Sequence, residues 1–288
     1  MIRGCRKPDI EKSRQHNFIH MKKYFFIGLV IFIVPAQLLA QSAGVLHNKM
    51  MGKLISGEIT SSNSIKSYID KMYISETGSP SLVTNEFCNN VRNNLVLTDP
   101  VQSLTNLSSA GIVNTEVSNF VKSIYLYFKK YENSEQELST VNYELVIDSI
   151  SNAATLSTTA RQTTNQLVSI LKSSYQFQLD LSGADNGALI PYKPIIGIGG
   201  PNATDYTLNT IKCRGFWRKF CIVIWDVIGG AFGAALCALI GPEACPFTIS
   251  FFAALFSYAS SCCGVCCPAT YGCINSNICC VCFGQYCN

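Results

Sequence analysis

Cysteine is concentrated at one end of this 288-residue chain, where residues 213–288 hold 13 of its 15 cysteines. Three adjacent pairs occur there, Cys262-Cys263, Cys266-Cys267 and Cys279-Cys280. Neighbouring Cα atoms lie about 3.8 Å apart, below the separation of about 4.4–6.8 Å that a disulfide usually spans. Each member of a pair is therefore expected to bond elsewhere. This predicts a compact, multiply crossed tail whose connectivity the sequence leaves open.

The N-terminal segment predicts export. A charged start at Met21-Lys22-Lys23 precedes an unbroken apolar run, 25–34, and a small-residue end at Ala40. This pattern is typical of a secretory signal peptide, so we expect cleavage after Ala40 and a secreted, extracellular product. For residues 1–20, either the charged region is unusually long or translation starts at Met21, and the second is favoured. Export would place the cysteines where disulfides form and persist.

Cysteine parity raises a question about how the tail is connected to the rest of the chain. Because the tail holds 13 cysteines, one of them lacks a partner there. Cys88 either bridges the preceding region to the tail, or one tail cysteine stays free or joins two copies. The cysteines expected in disulfides are Cys88, Cys213, Cys221, Cys237, Cys245, Cys262, Cys263, Cys266, Cys267, Cys273, Cys279, Cys280, Cys282 and Cys287.

Two CxxC pairs, Cys263–Cys266 and Cys279–Cys282, are separated by 12 residues, a spacing near that of zinc ribbons. Behind a signal peptide we expect disulfides instead of zinc. A thioredoxin-type centre is disfavoured because no βαβ pattern surrounds the pairs. The sequence therefore predicts no metal site and no cofactor.

Catalytic and nucleic-acid-binding patterns are missing from the sequence. His47 is the only histidine after Ala40, and we expect it to be an exposed residue near the new N-terminus. No P-loop, dinucleotide fingerprint or HExxH motif occurs. The 15 basic and 16 acidic residues after Ala40 provide no basic footprint for nucleic acid. We predict no enzyme, no catalytic residues, no small-molecule substrate and no nucleic-acid partner.

Residues 41–181 are expected to form a small helical bundle, which makes the fold class mostly α. The clearest amphipathic pattern spans 112–130. Ser134 to Glu137 has capping-box spacing and predicts the start of a second helix, and a third is predicted over 159–177. Weaker patterns occur at 64–73 and 82–97. The apolar residues on the predicted stripes are Ile112, Val113, Val117, Phe120, Val121, Ile124, Tyr125, Phe128, Leu138, Val141, Leu145, Ile150, Leu167, Ile170 and Leu171.

Glycine and proline are dense in residues 182–212, which predicts a linker and a domain boundary. The expected organisation is a signal peptide at 21–40, a helical pro- or immunity-like region at 41–181, this linker, and a cysteine-rich apolar module at 213–288. Whether the linker is cut stays open; Lys212 and Arg218-Lys219 are ordinary protease sites.

The module opens with two apolar runs, 220–240 and 245–260, separated by a Gly241-Pro242 turn signal. The first run has one charge, Asp226, and as a helix would be roughly 31 Å long, about the thickness of a bilayer core. Gly229, Gly233, Cys237 and Gly241 recur every four residues, which favours close helix approach. The pattern predicts a helical hairpin that is either a buried core or a membrane-inserting element. The candidate membrane-contact residues are Phe220, Ile224, Trp225, Gly229, Gly233, Phe251, Phe252, Leu255 and Phe256.

The layout resembles that of cysteine-rich bacteriocin precursors. A long exported N-terminal part followed by an apolar, cysteine-rich peptide is similar to the haloarchaeal halocin type, in which the N-terminal part is the producer's immunity protein. The last 20 or so residues, with Cys273, Cys280, Cys282 and then Phe283-Gly284-Gln285-Tyr286, resemble fulvocin C-like bacteriocins. Both resemblances imply a secreted, non-enzymatic antibacterial peptide.

Two functions follow as expectations. In the first, the protein is a bacteriocin-like precursor whose disulfide-stabilised module acts on target-cell membranes after release, with the 41–181 region masking the hairpin until then. In the second, it is a secreted or envelope-associated structural or binding protein without killing activity. The second predicts that the hairpin packs against the 41–181 bundle in an uncut chain.

Overall fold

A computed structural model describes residues 42–55, 58, 64–133, 138–182, 216–240, 245–262 and 282. Over these ranges the chain forms α-helices and one 3-10 turn, with no strand, so the predicted mostly-α fold is confirmed. The predicted signal peptide, all of the predicted 182–212 linker except Ser182, and most of the cysteine-rich tail lie outside the described residues. The helices are α1 Ala43–Ile55, α2 Ile65–Thr77, α3 Asn85–Asn94, α4 Pro100–Ser109, α5 Thr115–Phe128, α6 Thr140–Ala153, α7 Thr158–Ser182, α8 Phe216–Ile240 and α9 Cys245–Cys262, with the 3-10 turn at Lys129–Tyr131.

Helix α5 forms where the amphipathic pattern predicted it. Its N-cap residue, Asn114, accepts hydrogen bonds from the backbone N–H groups of Glu116 and Val117, which satisfies two of the donors left over at a helix start. The predicted stripe is buried from Val113 to Phe128. This face packs onto α8 and α4, so the periodicity identified both the helix and its inner side.

The buried face of helix α6 differs from the one that the sequence predicted. It begins at Thr140 with Ser139 as its N-cap, and the predicted capping box lies outside the described residues. Val141 and Leu145, predicted to face the core, are 68% and 62% exposed; that prediction was wrong. The inner face instead carries Tyr143 and Ile147, both fully buried. The large ring of Tyr143 decides the orientation, because it packs on neighbouring aromatic rings and its hydroxyl donates to the Leu171 carbonyl at 3.3 Å.

Two helices were not predicted. Helix α4 begins at Pro100 after an Asp99 N-cap that accepts from the Gln102 N–H, and proline at the first helical position is a known start signal. Helix α1 has a weaker signal, yet it buries Leu46 and Met50 completely. Because α1 contacts both α9 and α7, it turns out to be central to the molecule.

The apolar hairpin, α8 and α9, forms the inner layer of this arrangement. Helix α1 packs on α9, α7 packs on both α1 and α8, and α5 packs on α8. The described residues from Ser42 onward form one compact unit. The hairpin and the helices that precede the linker in sequence therefore share one core.

Candidate functional site: the enclosed apolar hairpin

Glycines set the distance between α8 and α9. A Cβ atom built on Gly233 would lie 2.7 Å from the Thr248 carbonyl oxygen and 2.9 Å from the Ile249 Cα. A Cβ on Gly229 would collide with the backbone carbonyl of Phe252. The small-residue stripe predicted from the sequence therefore lies where the two backbones touch.

A disulfide closes the turn end of the hairpin. Cys237 and Cys245 are bonded, with their Cα atoms 4.9 Å apart. Their linkage ties the last turns of α8 to the start of α9 across the Gly241-Pro242 segment. Cys221, on α8, is also disulfide-bonded. Cys88 and Cys282 are buried free thiols, and the side chains of the other predicted disulfide cysteines lie outside the described residues.

The hairpin is enclosed. All nine candidate membrane-contact residues are buried, and the seven among them with side chains beyond glycine are fully inaccessible. Within the described ranges, the 19-residue segment Lys219–Cys237 is long and apolar enough to cross a membrane, and Cys245–Ser261 is a shorter apolar helix. A core helix of a soluble protein passes the same test. In this protein, 78% of the 18-residue apolar stretch within the longer segment is buried inside the protein.

An aromatic cluster covers the N-terminal end of α8. The Phe128 ring from α5 lies 4.8 Å from that of Phe220, and Phe216 lies 5.5 Å from Phe220. Tyr143 and Tyr175, from α6 and α7, pack beside them with ring centroids 4.2 Å apart and ring planes tilted by 35°. Aromatic pairs of this kind contribute about 0.5–1.5 kcal/mol beyond the area they bury. They link the hairpin to its cover.

A polar centre lies at the middle of the hairpin. Asp226 of α8 and His47 of α1 are both fully buried, with His47 Nε2 3.4 Å from Asp226 Oδ2. Ser174 of α7 donates a hydrogen bond to the same carboxylate oxygen. His47 Nδ1 lies 2.9 Å from the Asn48 side-chain oxygen. Because the Asn48 oxygen only accepts, Nδ1–H donates to it, and Nε2 is the ring nitrogen that faces the Asp226 carboxyl group.

The prediction that His47 is exposed was wrong. Helix α1 inserts between α9 and α7, which carries His47 into the interior beside the one charged residue in the middle of the hairpin. A buried carboxylate is costly without a partner. Asp226 Oδ1 has no hydrogen-bond partner among the described residues, so this charge is only partly compensated.

Further polar contacts hold the cover on the hairpin. The Ser250 hydroxyl of α9 donates to the Ala43 carbonyl at 2.8 Å, and the hydroxyls of Tyr73 and Thr248 form a hydrogen bond. Burial raises the pKa of Tyr73, and the bond to Thr248 offsets part of that rise. These contacts orient α1 and α2 against α9.

Helix α2 is attached to α1 by a charge cluster. Glu76 receives hydrogen bonds from Lys49 at 2.8 Å and Lys53 at 2.5 Å. Burial raises the pKa of Glu76, but the hydrogen bonds and positive charges of Lys49 and Lys53 together lower it by more. The pKa of Glu76 therefore lies below its ordinary value of 4.5. The carboxylate therefore stabilises the fold above pH 4.5, and this contribution disappears as the pH falls through the lowered pKa.

We expect the Glu76→Gln variant to lose about 1 kcal/mol of stability at pH 7, because most pairs of this kind contribute little more. The same variant should lose less stability than wild type between pH 6 and pH 3. Urea unfolding at both pH values measures this. Glu86→Gln, at an exposed position on α3, is the matched control, and an equal acid response in wild type and Glu76→Gln would contradict the assignment.

No His, Cys, Asp or Glu group of three or more within the described ranges is placed to hold a metal ion. Of the two predicted CxxC pairs only Cys282 is described. Comparison of the chain with protein-family models, with curated proteins and with solved structures finds no match.

Proposed function

We propose that this protein is the precursor of a secreted, bacteriocin-like protein whose disulfide-stabilised C-terminal module acts on target-cell membranes. The observation that carries the proposal is the position of Lys219–Cys237, a segment of membrane-spanning length enclosed by the helices of the 41–181 region. With this cover in place the apolar residues are hidden from water. Once the cover is displaced, they need another apolar environment, and a lipid bilayer provides one.

In this proposal the 41–181 region masks the hairpin within the same molecule, and so protects the producing cell. The contacts of α1, α5 and α7 with the hairpin are the physical basis of the mask. Masking within one chain suits an exported protein, because an apolar surface as extensive as that of α8 and α9 would otherwise aggregate.

Several polar groups on the buried faces of α7 and α9 support a cover that can be displaced. Thr164, Gln178 and Ser257 are all buried, and their side-chain polar atoms have no hydrogen-bond partner among the described residues. Most such atoms in protein interiors are paired. Leaving one unsatisfied costs about 1–3 kcal/mol, so these groups reduce the free energy needed to separate the hairpin from its cover.

The chain contains two tryptophans, and both, Trp217 and Trp225, lie on α8. Tryptophan fluorescence, excited at a wavelength where tyrosine hardly absorbs, therefore reports on the hairpin alone. The exported chain, with a specific protease site placed within 182–212, is mixed with phosphatidylethanolamine–phosphatidylglycerol vesicles whose acyl chains are brominated. We expect little quenching before cutting and strong quenching afterwards, together with dye leakage, because α8 then enters the hydrocarbon.

The Trp217→Phe variant leaves Trp225 as the single reporter at the middle of α8 and tests insertion instead of surface contact. Vesicles without bromine correct for changes unrelated to depth. If the cut protein stays unquenched and the vesicles stay intact, the membrane proposal is wrong. The second candidate, a secreted or envelope-associated structural or binding protein, would then be favoured, since it predicts the packing of the hairpin on the 41–181 bundle.

A further inference from the structure

Cys221 takes part in a disulfide, and elimination restricts its partner to the tail. It lies in the second turn of α8, is partly exposed and is disulfide-bonded. Cys237 and Cys245 are bonded to each other, and Cys88 and Cys282 are free thiols. Once the predicted signal peptide is removed, the partner is therefore one of the remaining cysteines of residues 213–288.

The antiparallel helices α8 and α9 keep a constant register along the hairpin. Beyond the disulfide at the turn end, Gly233 lies against Thr248, and one turn further Gly229 lies against Phe252. Each step of four residues towards the start of α8 is thus matched by three or four residues along α9. These two helices also share the most extensive contact of any pair in the described ranges, so the register can be followed beyond the glycines.

This register brings Cys221 level with the end of α9. Cys221 lies 16 residues before Cys237, and Cys262 lies 17 residues after Cys245, the partner of Cys237. Cys262 is the last residue of α9. A difference of one residue is an offset of about 1.5 Å along the helix axis, which is small beside the Cα separation of about 4.4–6.8 Å that a disulfide spans.

Helical spacing also places Cys221 on the side of α8 that faces α9. The Phe232 ring packs edge-on against the Phe252 ring of α9, with centroids 4.4 Å apart. Cys221 precedes Phe232 by 11 residues, about three full turns, so both residues lie on the same face of α8. The residue 11 positions after Phe252 is Cys263. The same spacing along both helices therefore leads from one aromatic contact to Cys221 and to the Cys262-Cys263 pair.

We propose that Cys221 is bonded to one sulfur of the adjacent pair Cys262-Cys263, which closes the hairpin at its open end. The two thiols lose two protons and two electrons as one S–S bond forms. The electrons pass to the disulfide of an extracytoplasmic thiol oxidoreductase, which is reduced to its dithiol through a mixed disulfide. Because the Cα atoms of adjacent residues lie about 3.8 Å apart, too close for an ordinary disulfide, the second sulfur of the pair is left to bond elsewhere.

Disulfides at both ends join α8 and α9 into a covalent ring. Cys237–Cys245 fixes the turn end, and the proposed bond fixes the opposite end. The hairpin then cannot open lengthwise, so its two helices separate from the surrounding helices together or not at all. The inference concerns connectivity and does not depend on the membrane activity proposed above.

The test maps the disulfides of the full exported chain, recovered from an oxidising compartment and alkylated in denaturant without reductant. Trypsin and chymotrypsin together release Cys221 in the peptide 221–225, the adjacent pair in the peptide 259–271 and Cys213 in the dipeptide Cys213-Arg214. Mass spectrometry should show 221–225 joined to 259–271. Partial reduction, differential alkylation and fragmentation should then place the bond on Cys262 or Cys263.

A variant provides a second measurement of the same bond. Cys221→Ala should label one thiol more than wild type, and the additional label should lie on Cys262 or Cys263. The matched control is Cys237→Ala, which removes the disulfide at the other end of the same helix and should label Cys245 instead.

A linkage from Cys221 to Cys213, or to any cysteine after Cys263, would overturn the proposal. Alkylation of Cys221 in the unreduced wild-type protein would do the same. Wild-type mapping decides the question even if a variant fails to fold. Because no membrane is present in this experiment, its failure leaves the vesicle result untouched, and the reverse also holds.

Discussion

Replacing His47 by leucine should destabilise the protein by about 1–3 kcal/mol, because it removes the imidazole that faces the buried Asp226 carboxyl group. Both side chains are fully inaccessible, so water cannot replace the imidazole. Ser174 still donates one hydrogen bond, which compensates only a part of the charge. Urea unfolding followed by circular dichroism gives the change as a shift of the transition midpoint.

The matched control is the double variant, His47→Leu with Asp226→Asn. The amide is nearly the same size as the carboxylate and can still accept from Ser174, but it carries no charge. Most of the lost stability should therefore return. A His47→Leu variant within 1 kcal/mol of wild type, or a double variant no better than the single one, would show that the pair does not hold α1 on the hairpin.

The same variants connect stability to the proposed function. If the His47–Asp226 contact holds the cover in place, His47→Leu should increase tryptophan quenching by brominated vesicles even in the uncut protein, and the double variant should return it towards the wild-type level. Equal quenching in all three proteins would mean that the His47–Asp226 contact does not hold the cover on the hairpin, whatever it contributes to stability.

Replacing Gly233 by alanine should cost about 2 kcal/mol. The new methyl group would lie 2.7 Å from the Thr248 carbonyl oxygen, a backbone atom that moves only if α8 and α9 move apart. Overpacking typically costs about 1–3 kcal/mol and at times more. A clash with backbone atoms places this site at the upper end of that range, and the better helix propensity of alanine offsets about 1 kcal/mol of the cost.

Gly230→Ala is the control within the same helix. Its Cβ would meet the Leu167 Cδ2 atom at 2.8 Å, the mobile end of a side chain that can turn away. The variant gains the same helix propensity, so its stability should stay within about 1 kcal/mol of wild type. Equal effects at Gly230 and Gly233 would mean that the glycine stripe does not set the helix spacing.

Local patterns were sufficient to predict much of the hairpin and of α5. The four-residue recurrence of Gly229 and Gly233 indicates close approach wherever their partner lies, because only a missing side chain allows backbones to touch. The apolar stripe of α5 predicts its buried face in the same way, because a helix with a single apolar face can bury only that face. The start of α4 also has a local signal, an Asp99 N-cap followed by proline at the first helical position.

The polar centre was not predictable from local patterns. His47 and Asp226 are 179 positions apart in the sequence, and nothing near either residue indicates the other. The orientation of α6 was undetermined for a related reason. Val141 and Leu145 offered one apolar face and Tyr143 and Ile147 another, and only the neighbouring rings of Phe128 and Tyr175 selected between them.

The sequence by itself determined that the chain is mostly helical, where most helices lie, and that α8 and α9 form a closely packed apolar hairpin. Each of these depends on residues within a few turns of one another, where helix geometry relates spacing directly to contact. Only the tertiary structure decided what covers the hairpin and that His47 faces Asp226. Those contacts join segments that are far apart in the sequence. Which segments meet depends on how all the helices pack into one close-packed core, and no local pattern contains that information.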